Sequence, residues 1–294
     1  MFNGLDQMDT LIQQMMAGIR PASLIAVPMF ILAADIMTRG QSAERLINMV
    51  MAFIGHVKGG LAVSTAASCT LFGAVSGSTQ ATVVAVGSPL RPRMLKAGYS
   101  DSFTLALIIN SSDIAFLIPP SIGMIIYGVI SGTSIGELFI AGIGPGLLIL
   151  LMFSIYCVLY AVIRDVPTEP KASWSERLSA VRQALWPLGF PVIIVGGIYG
   201  GIFSPTEAAA ACVLYAVLLE FVVFRSLKMN DIYAIAKSTG LITAVVFILV
   251  AVGNGFSWII SFAQIPQAML EAAGINEAGP TGVLIAICIA FFVA

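Results

Sequence analysis

Residues 73–82, Gly-Ala-Val-Ser-Gly-Ser-Thr-Gln-Ala-Thr, gather the hydroxyls of Ser76, Ser78, Thr79 and Thr82 around Gly77, inside a stretch that is otherwise apolar. Hydroxyls and unwound backbone carbonyls are hard oxygen donors suited to a small alkali cation, and the N-terminus of a helix following such a turn favours an anion. Small hydroxyl residues also pack helix pairs in membranes, but their clustering at the centre of one segment points to binding. A second constellation is Asn110-Ser111-Ser112-Asp113, followed by Ile118-Pro119-Pro120. The prolines carry no N–H, so carbonyls a turn earlier lose their donors and can face a cation. Asp113 falls in the middle of an apolar segment, where a carboxylate is costly and marks function by default. The competing reading is a structural hydrogen bond to Asn110 or to a neighbouring helix end.

The surroundings of these residues are those of a membrane protein. Of 294 residues, 59% are hydrophobic and 10% charged, with a mean hydropathy of +0.99; soluble domains carry about 25% charged residues. Long apolar runs without period-2 alternation predict helices rather than a barrel. The net charge of −1 gives no footprint for nucleic acid. Cys69, Cys157, Cys212 and Cys288 stand singly, in no metal or disulfide spacing, and His56 is the only histidine. With no nucleophile elbow, phosphate loop or paired catalytic carboxylates in the sequence, an enzyme is not expected.

The stretch from Leu61 to Leu90 is about 30 residues long, whereas two full helical spans need roughly 40. His56 and Lys58 flank it on one side and Arg91, Arg93 and Lys96 on the other. With basic loops cytoplasmic, the segment enters, turns near Ser76 to Thr79 and returns to the same side. Non-helical backbone is tolerated at that depth only where protein or a water-filled cavity satisfies it, so the expected element is a re-entrant hairpin whose tip is a candidate site.

Other predicted elements are a span over 23–38, an amphipathic helix over 41–57 and a span over 103–130 broken at 110–113 and 119–120. A span over 138–163, a polar loop over 164–182, and spans over 185–203, 208–224 and 241–262 follow, with a last apolar run from Gly282. Ser204-Pro205-Thr206-Glu207 reads as a capping box, and Asp35 pairs with Arg39 one helical turn on. The basic clusters at 91–96, at 164–182 and at Arg225, Lys228 and Lys237 are separated by even numbers of expected spans and are all expected on the cytoplasmic side.

A weak repeat relates Leu24-Ile25 and Phe30-Ile31-Leu32 to Leu241-Ile242 and Phe247-Ile248-Leu249. The two copies run in opposite directions, a transporter arrangement with substrate at the repeat interface. In that register Phe72 pairs with Ala294, so the second repeat is expected to be truncated before its own hairpin turn, and the chain to be part of a longer protein.

Four motifs in order resemble one known family. They are Phe72–Thr82, Leu117-Ile-Pro-Pro-Ser-Ile-Gly-Met-Ile-Ile-Tyr-Gly128, Leu138-Phe-Ile-Ala-Gly-Ile-Gly-Pro-Gly146 and Ile202-Phe-Ser-Pro-Thr-Glu-Ala-Ala-Ala-Ala211. They look like the large membrane subunit of tripartite ATP-independent periplasmic (TRAP) transporters, the DctM-like permeases. The resemblance implies an all-α, inverted-repeat, elevator-type importer of organic acids in the bacterial inner membrane. It implies sodium as the coupling ion with no other cofactor. Its implied partners are a small four-helix membrane subunit and a soluble periplasmic substrate-binding protein.

Carried over by residue, the resemblance assigns the sodium site to Ser76, Gly77, Ser78, Thr79, Asn110, Ile118, Pro119 and Pro120. It assigns substrate contacts to Ser76, Ser78, Ser112 and Asp113. The implied organisation is scaffold and arm helices over 1–58, half of a transport domain over 59–130, connecting and scaffold spans over 131–237, and the start of the second repeat over 238–294. Many members have glycine where this chain has Asp113, which leaves the substrate open; since the substrates usually carry a carboxylate, Asp113 is expected to read hydroxyls or support the sodium site. A sodium-only exchanger or a channel with an oxygen-lined broken helix is the alternative reading.

Overall fold

A computed structural model describes residues 5–272 and 279–293, and every regular element in them is helical. In chain order these are α1 (Leu5–Gly18), α2 (Ala26–Arg39), α3 (Ser42–Ile54), α4 (Gly60–Ser76), α5 (Thr79–Lys96), α6 (Asp101–Ser112) and α7 (Ile122–Ser131). They continue with α8 (Ile135–Ile163), α9 (Trp174–Tyr199), α10 (Pro205–Val217), α11 (Asp231–Phe262), α12 (Ile265–Ala272) and α13 (Pro280–Val293). Short 3-10 turns precede α2 and follow α6, and a six-residue π turn, Leu218–Val223, extends α10. Among the described residues five helices are long and apolar enough to cross a membrane: Ala22–Arg39, Ile135–Ile163, Trp174–Tyr199, Pro205–Val223 and Asp231–Phe262.

Two compact units form, one from residues 21–246 and one from α1 with the chain from Phe247 onward. In the second, Leu11 and Met15, one turn apart on α1, lie against Gly255 of α11, the face that their spacing marks. In the first unit, α4 packs on α5, α6 and α8, while α2 packs on α10 and α3 on α9. Large side chains fill the interior, among them Phe30, Phe72, Phe139 and Phe190, all fully buried. Many leucines, isoleucines and valines of α8, α9 and α11 stay exposed, the pattern of helices whose outer faces meet lipid.

The helix pair expected over 61–90 is present as α4 and α5 with its turn at Gly77-Ser78. The broken span differs in detail. Asn110, Ser111 and Ser112 are regular helix, Asp113–Phe116 tightens to 3-10, and the unwound stretch is Leu117–Ser121. Helix continues until Pro119 and Pro120 withhold the N–H groups that Ala115 and Phe116 need. The polar loop expected over 164–182 ends at Ser173, because Ser173 and Glu176 form a reciprocal capping box that starts α9. The box at Ser204 and Glu207 starts α10 as its sequence indicates, and Arg39 Nε sits 2.9 Å from Asp35 Oδ1.

Candidate functional site

The tip is built by the side chains that make the turn. Gly77 adopts φ 59° and ψ 13°, a left-handed conformation that closes α4 and is disfavoured for residues with a Cβ. Ser78 caps α5, its Oγ accepting from Ala81 N and donating to Gln80 Oε1. Ser76 Oγ and Thr82 Oγ1 lie 2.9 Å apart, and both reach the Ser78 carbonyl, at 3.2 and 2.9 Å. These two hydroxyls therefore brace the turn. Thr79 Oγ1 is different: it is buried and has no hydrogen-bond partner. At the head of α5, it is an oxygen donor with capacity to spare, in the positive field of a helix N-terminus.

The broken helix meets this tip backbone to backbone. Ile122 N donates to the Gly77 carbonyl at 3.4 Å, and a methyl on Gly77 would stand 2.5 Å from the Pro120 oxygen. One turn down, Gly73 faces Ala115 so closely that an added Cβ would lie 2.8 Å from the Ala115 Cβ. From the other side α8 supports the linker: Gly146 receives the Ile118 side chain and Gly142 the Leu117 carbonyl. Ser121, fully buried, caps α7 by accepting from Met124 N at 3.3 Å. Two unwound segments, 77–78 and 117–121, are thus joined and held from both flanks. Such a junction presents carbonyls and hydroxyls where a helical crossing would present none.

The residues singled out in the sequence separate into groups. Ser76, Gly77, Ser78 and Thr79 form the tip, and the Ile118–Pro120 linker docks on it. Ser112 is turned inward, its Oγ donating to the Ile108 carbonyl at 2.7 Å and lying 3.6 Å from Cys69 Sγ. Asn110 is exposed and its amide donates to the Ala106 carbonyl. The Asp113 carboxylate is exposed and accepts no hydrogen bond among the described residues, so the tether to Asn110 is not formed. Sequence reasoning passes over Ser111 and Ser68, whose buried hydroxyls have no partner. Residues 111 and 112 point about 100° apart on a helix, yet both are buried, and a lone broken span gives no periodicity from which to read that.

Comparison with known proteins identifies the family. The model of the tripartite ATP-independent periplasmic transporter DctM component matches residues 1–294. The chain belongs to the DctM family. It is 92% identical over its whole length to the ectoine TRAP transporter large permease protein TeaC of Halomonas elongata, covering 69% of that protein. Over 293 residues it is 75% identical to the ectoine/5-hydroxyectoine TRAP transporter large permease protein UehC of Ruegeria pomeroyi, covering 68% of it. To the C4-dicarboxylate TRAP transporter large permease protein DctM of Pseudomonas aeruginosa it is 38% identical over 257 residues, 87% of this chain and 60% of that one. It is therefore a multi-pass inner-membrane permease component and not an enzyme. Large permeases of this family work with a small membrane subunit and a periplasmic binding protein.

Proposed function

We propose that this chain is the large-permease part of a sodium-coupled TRAP importer for ectoine or 5-hydroxyectoine, assembled with a small membrane subunit and a periplasmic binding protein. The joined hairpin tip and broken-helix linker carry this reading. Thr79 Oγ1 is a buried oxygen without a partner; the 77–78 turn adjoins it in the chain, and the 117–121 linker docks on that turn at Gly77. A small alkali cation suits such neutral oxygens, which supply coordination without a second buried charge. The substrate assignment follows the names of TeaC and UehC.

Ectoine is a zwitterion, a carboxylate attached to a positively charged amidinium ring. That chemistry suits Asp113. An exposed, unpaired carboxylate would repel a simple organic dianion but attracts a ring cation. In this reading Asp113 faces the amidinium, Thr79 and the linker carbonyls serve sodium, and the helix N-terminus at Thr79 favours the substrate carboxylate. Displacement of the hairpin and broken helix relative to the other helices, an elevator motion, then carries the site across the membrane.

The test is uptake of labelled ectoine into proteoliposomes holding the complete transporter and its binding protein. An inward sodium gradient is expected to drive accumulation, and an equal potassium gradient to drive none. Equal uptake in the two gradients would remove sodium coupling. Flux without the binding protein would favour the channel reading.

A further inference from the structure

Helix α3 joins α2 to the hairpin, and an opposite charge holds each of its ends. Glu220, in the π turn after α10, is fully buried. Its carboxylate accepts from Gln41 N at 3.1 Å and Ser42 N at 3.2 Å, and from the hydroxyls of Ser42 and Ser226. These are free donors at the α3 N-terminus, where a negative charge also meets the positive end of the helix dipole. Gly40 leaves room for this: a Cβ there would collide with the carboxylate. Beside it Arg45 of α3 stacks 3.8 Å from the Phe224 ring centroid.

At the other end Arg177 of α9 is 8% exposed and donates from Nε to the Ala52 carbonyl at 3.1 Å. Its guanidinium lies between the rings of Trp174 and Phe53, at 5.2 and 5.6 Å. The face between the two charges, Ala43, Leu46, Ile47 and Val50, is buried. Immediately after α3 the chain changes character. Gly55-His-Val-Lys-Gly-Gly60 places three glycines in six residues, and Gly59 is left-handed at φ 77°.

We propose that Glu220 and Arg177 are positioning residues of the transport cycle. They pin both ends of α3 to α9 and the end of α10, so that displacement of the hairpin is taken up in the Gly55–Gly60 connector and not by movement of α3. This rests on the transport reading above. Were α3 free to tilt, displacement of the hairpin would be absorbed in the arm, and the two buried charges would be uncovered at each cycle, an unfavourable exchange.

Two measurements in the complete reconstituted transporter test it. Asn48 on α3 and Ser179 on α9 are both exposed around one surface depression of about 350 Å³. In a Cys288→Ser background, Asn48→Cys and Ser179→Cys can be joined by a short bis-maleimide. Joined protein is expected to keep uptake within twofold of the unjoined protein. Abolished uptake on joining, with either single-cysteine protein unaffected by the reagent, overturns the proposal.

The second measurement uses the pair Glu220→Gln and Arg177→Met, near-isosteric changes that remove both charges. Per molecule of monodisperse complex, the maximal rate is expected to fall roughly tenfold or more, with half-saturating sodium and substrate unchanged, since neither residue lies at the tip. An unaltered maximal rate overturns the proposal. If the pair does not fold, the crosslink alone decides. No uptake by unmodified protein counts against the transport reading, a separate outcome.

Discussion

Gly77→Ala tests whether the hairpin tip and the broken-helix linker act as one site. Two effects of the substitution can be separated. At φ 59° an L-residue is disfavoured by about 1–2 kcal/mol. The new methyl would also sit 2.5 Å from the Pro120 oxygen and 3.2 Å from its carbonyl carbon. Both are backbone atoms, so no side chain can swing away; overpacking of this kind costs about 1–3 kcal/mol. The relief available is separation of tip from linker, which breaks the hydrogen bond from Ile122 N to the Gly77 carbonyl.

If that separation removes about 2 kcal/mol from the cation-competent geometry, half-saturating sodium rises roughly 30-fold, at tenfold per 1.4 kcal/mol. Gly98→Ala is the control. Gly98 is also left-handed, at φ 92°, but has open space where the Cβ would go. It therefore carries the backbone term alone, about 1–2 kcal/mol of stability, and should leave sodium dependence within twofold of wild type. Uptake titrated against sodium at fixed substrate gives both numbers. Equal half-saturation for Gly77→Ala and wild type, with both folded, would refute the view that the docked backbone segments form the cation site.

Further substitutions separate roles within the same region. Thr79→Val keeps the branched shape and removes the one unpartnered tip hydroxyl; half-saturating sodium should rise about fivefold, one neutral oxygen contact being worth about 1 kcal/mol. Thr82→Val removes a hydroxyl engaged in bracing the turn, so thermal stability should fall while sodium dependence changes less than for Thr79→Val. Asp113→Asn should change substrate preference toward simple carboxylates with sodium dependence retained; unchanged preference and affinity would exclude Asp113 from the site. Ser204→Ala removes the α10 cap, lowering stability by about 1 kcal/mol with no change in sodium dependence. The hydrogen bond from Lys58, 2.7 Å from Asp165, holds that exposed carboxyl below the usual carboxylate range. Its lowered folded-state pKa makes the contribution present above the ordinary value and lost as pH falls through the lowered one. Melting of Asp165→Asn and wild type should therefore differ by a constant amount at neutral pH and converge only in strong acid.

The hairpin and the break were legible because both are local statements. A glycine among hydroxyls in a too-short apolar segment, and two consecutive prolines, act on the backbone within a turn of themselves. The extent of the break was less so: helix runs on through Ser112 because nothing before Pro119 removes a donor. The start of α9 was missed although Ser173-Trp-Ser-Glu176 carries the same pattern as Ser204-Pro-Thr-Glu207. The charges of Glu176, Arg177 and Arg182 made the segment read as loop, whereas they ride on the first turns of a 26-residue helix.

What stayed illegible is of another kind. Glu220 stands in the apolar run Val217–Phe224, and its spacing to any charge in the sequence suggests no partner. Besides the hydroxyls of Ser42 and Ser226, its donors are backbone N–H groups of Gln41 and Ser42, about 180 residues earlier. Backbone donors have no residue type, so no pattern of letters can announce them. Gly40 and Gly73 are similar cases: each is required by what approaches it, a carboxylate and an alanine respectively, and not by its own conformation. The division follows from range. Turn chemistry acts on neighbouring residues and can be read along the chain, whereas packing and trans-capping join surfaces that only the fold brings together. In this permease the tip belongs to the first class and the contacts of α3 to the second, so mutations guided by the motifs alone would probe the proposed cation site and leave the proposed anchoring of the arm untouched.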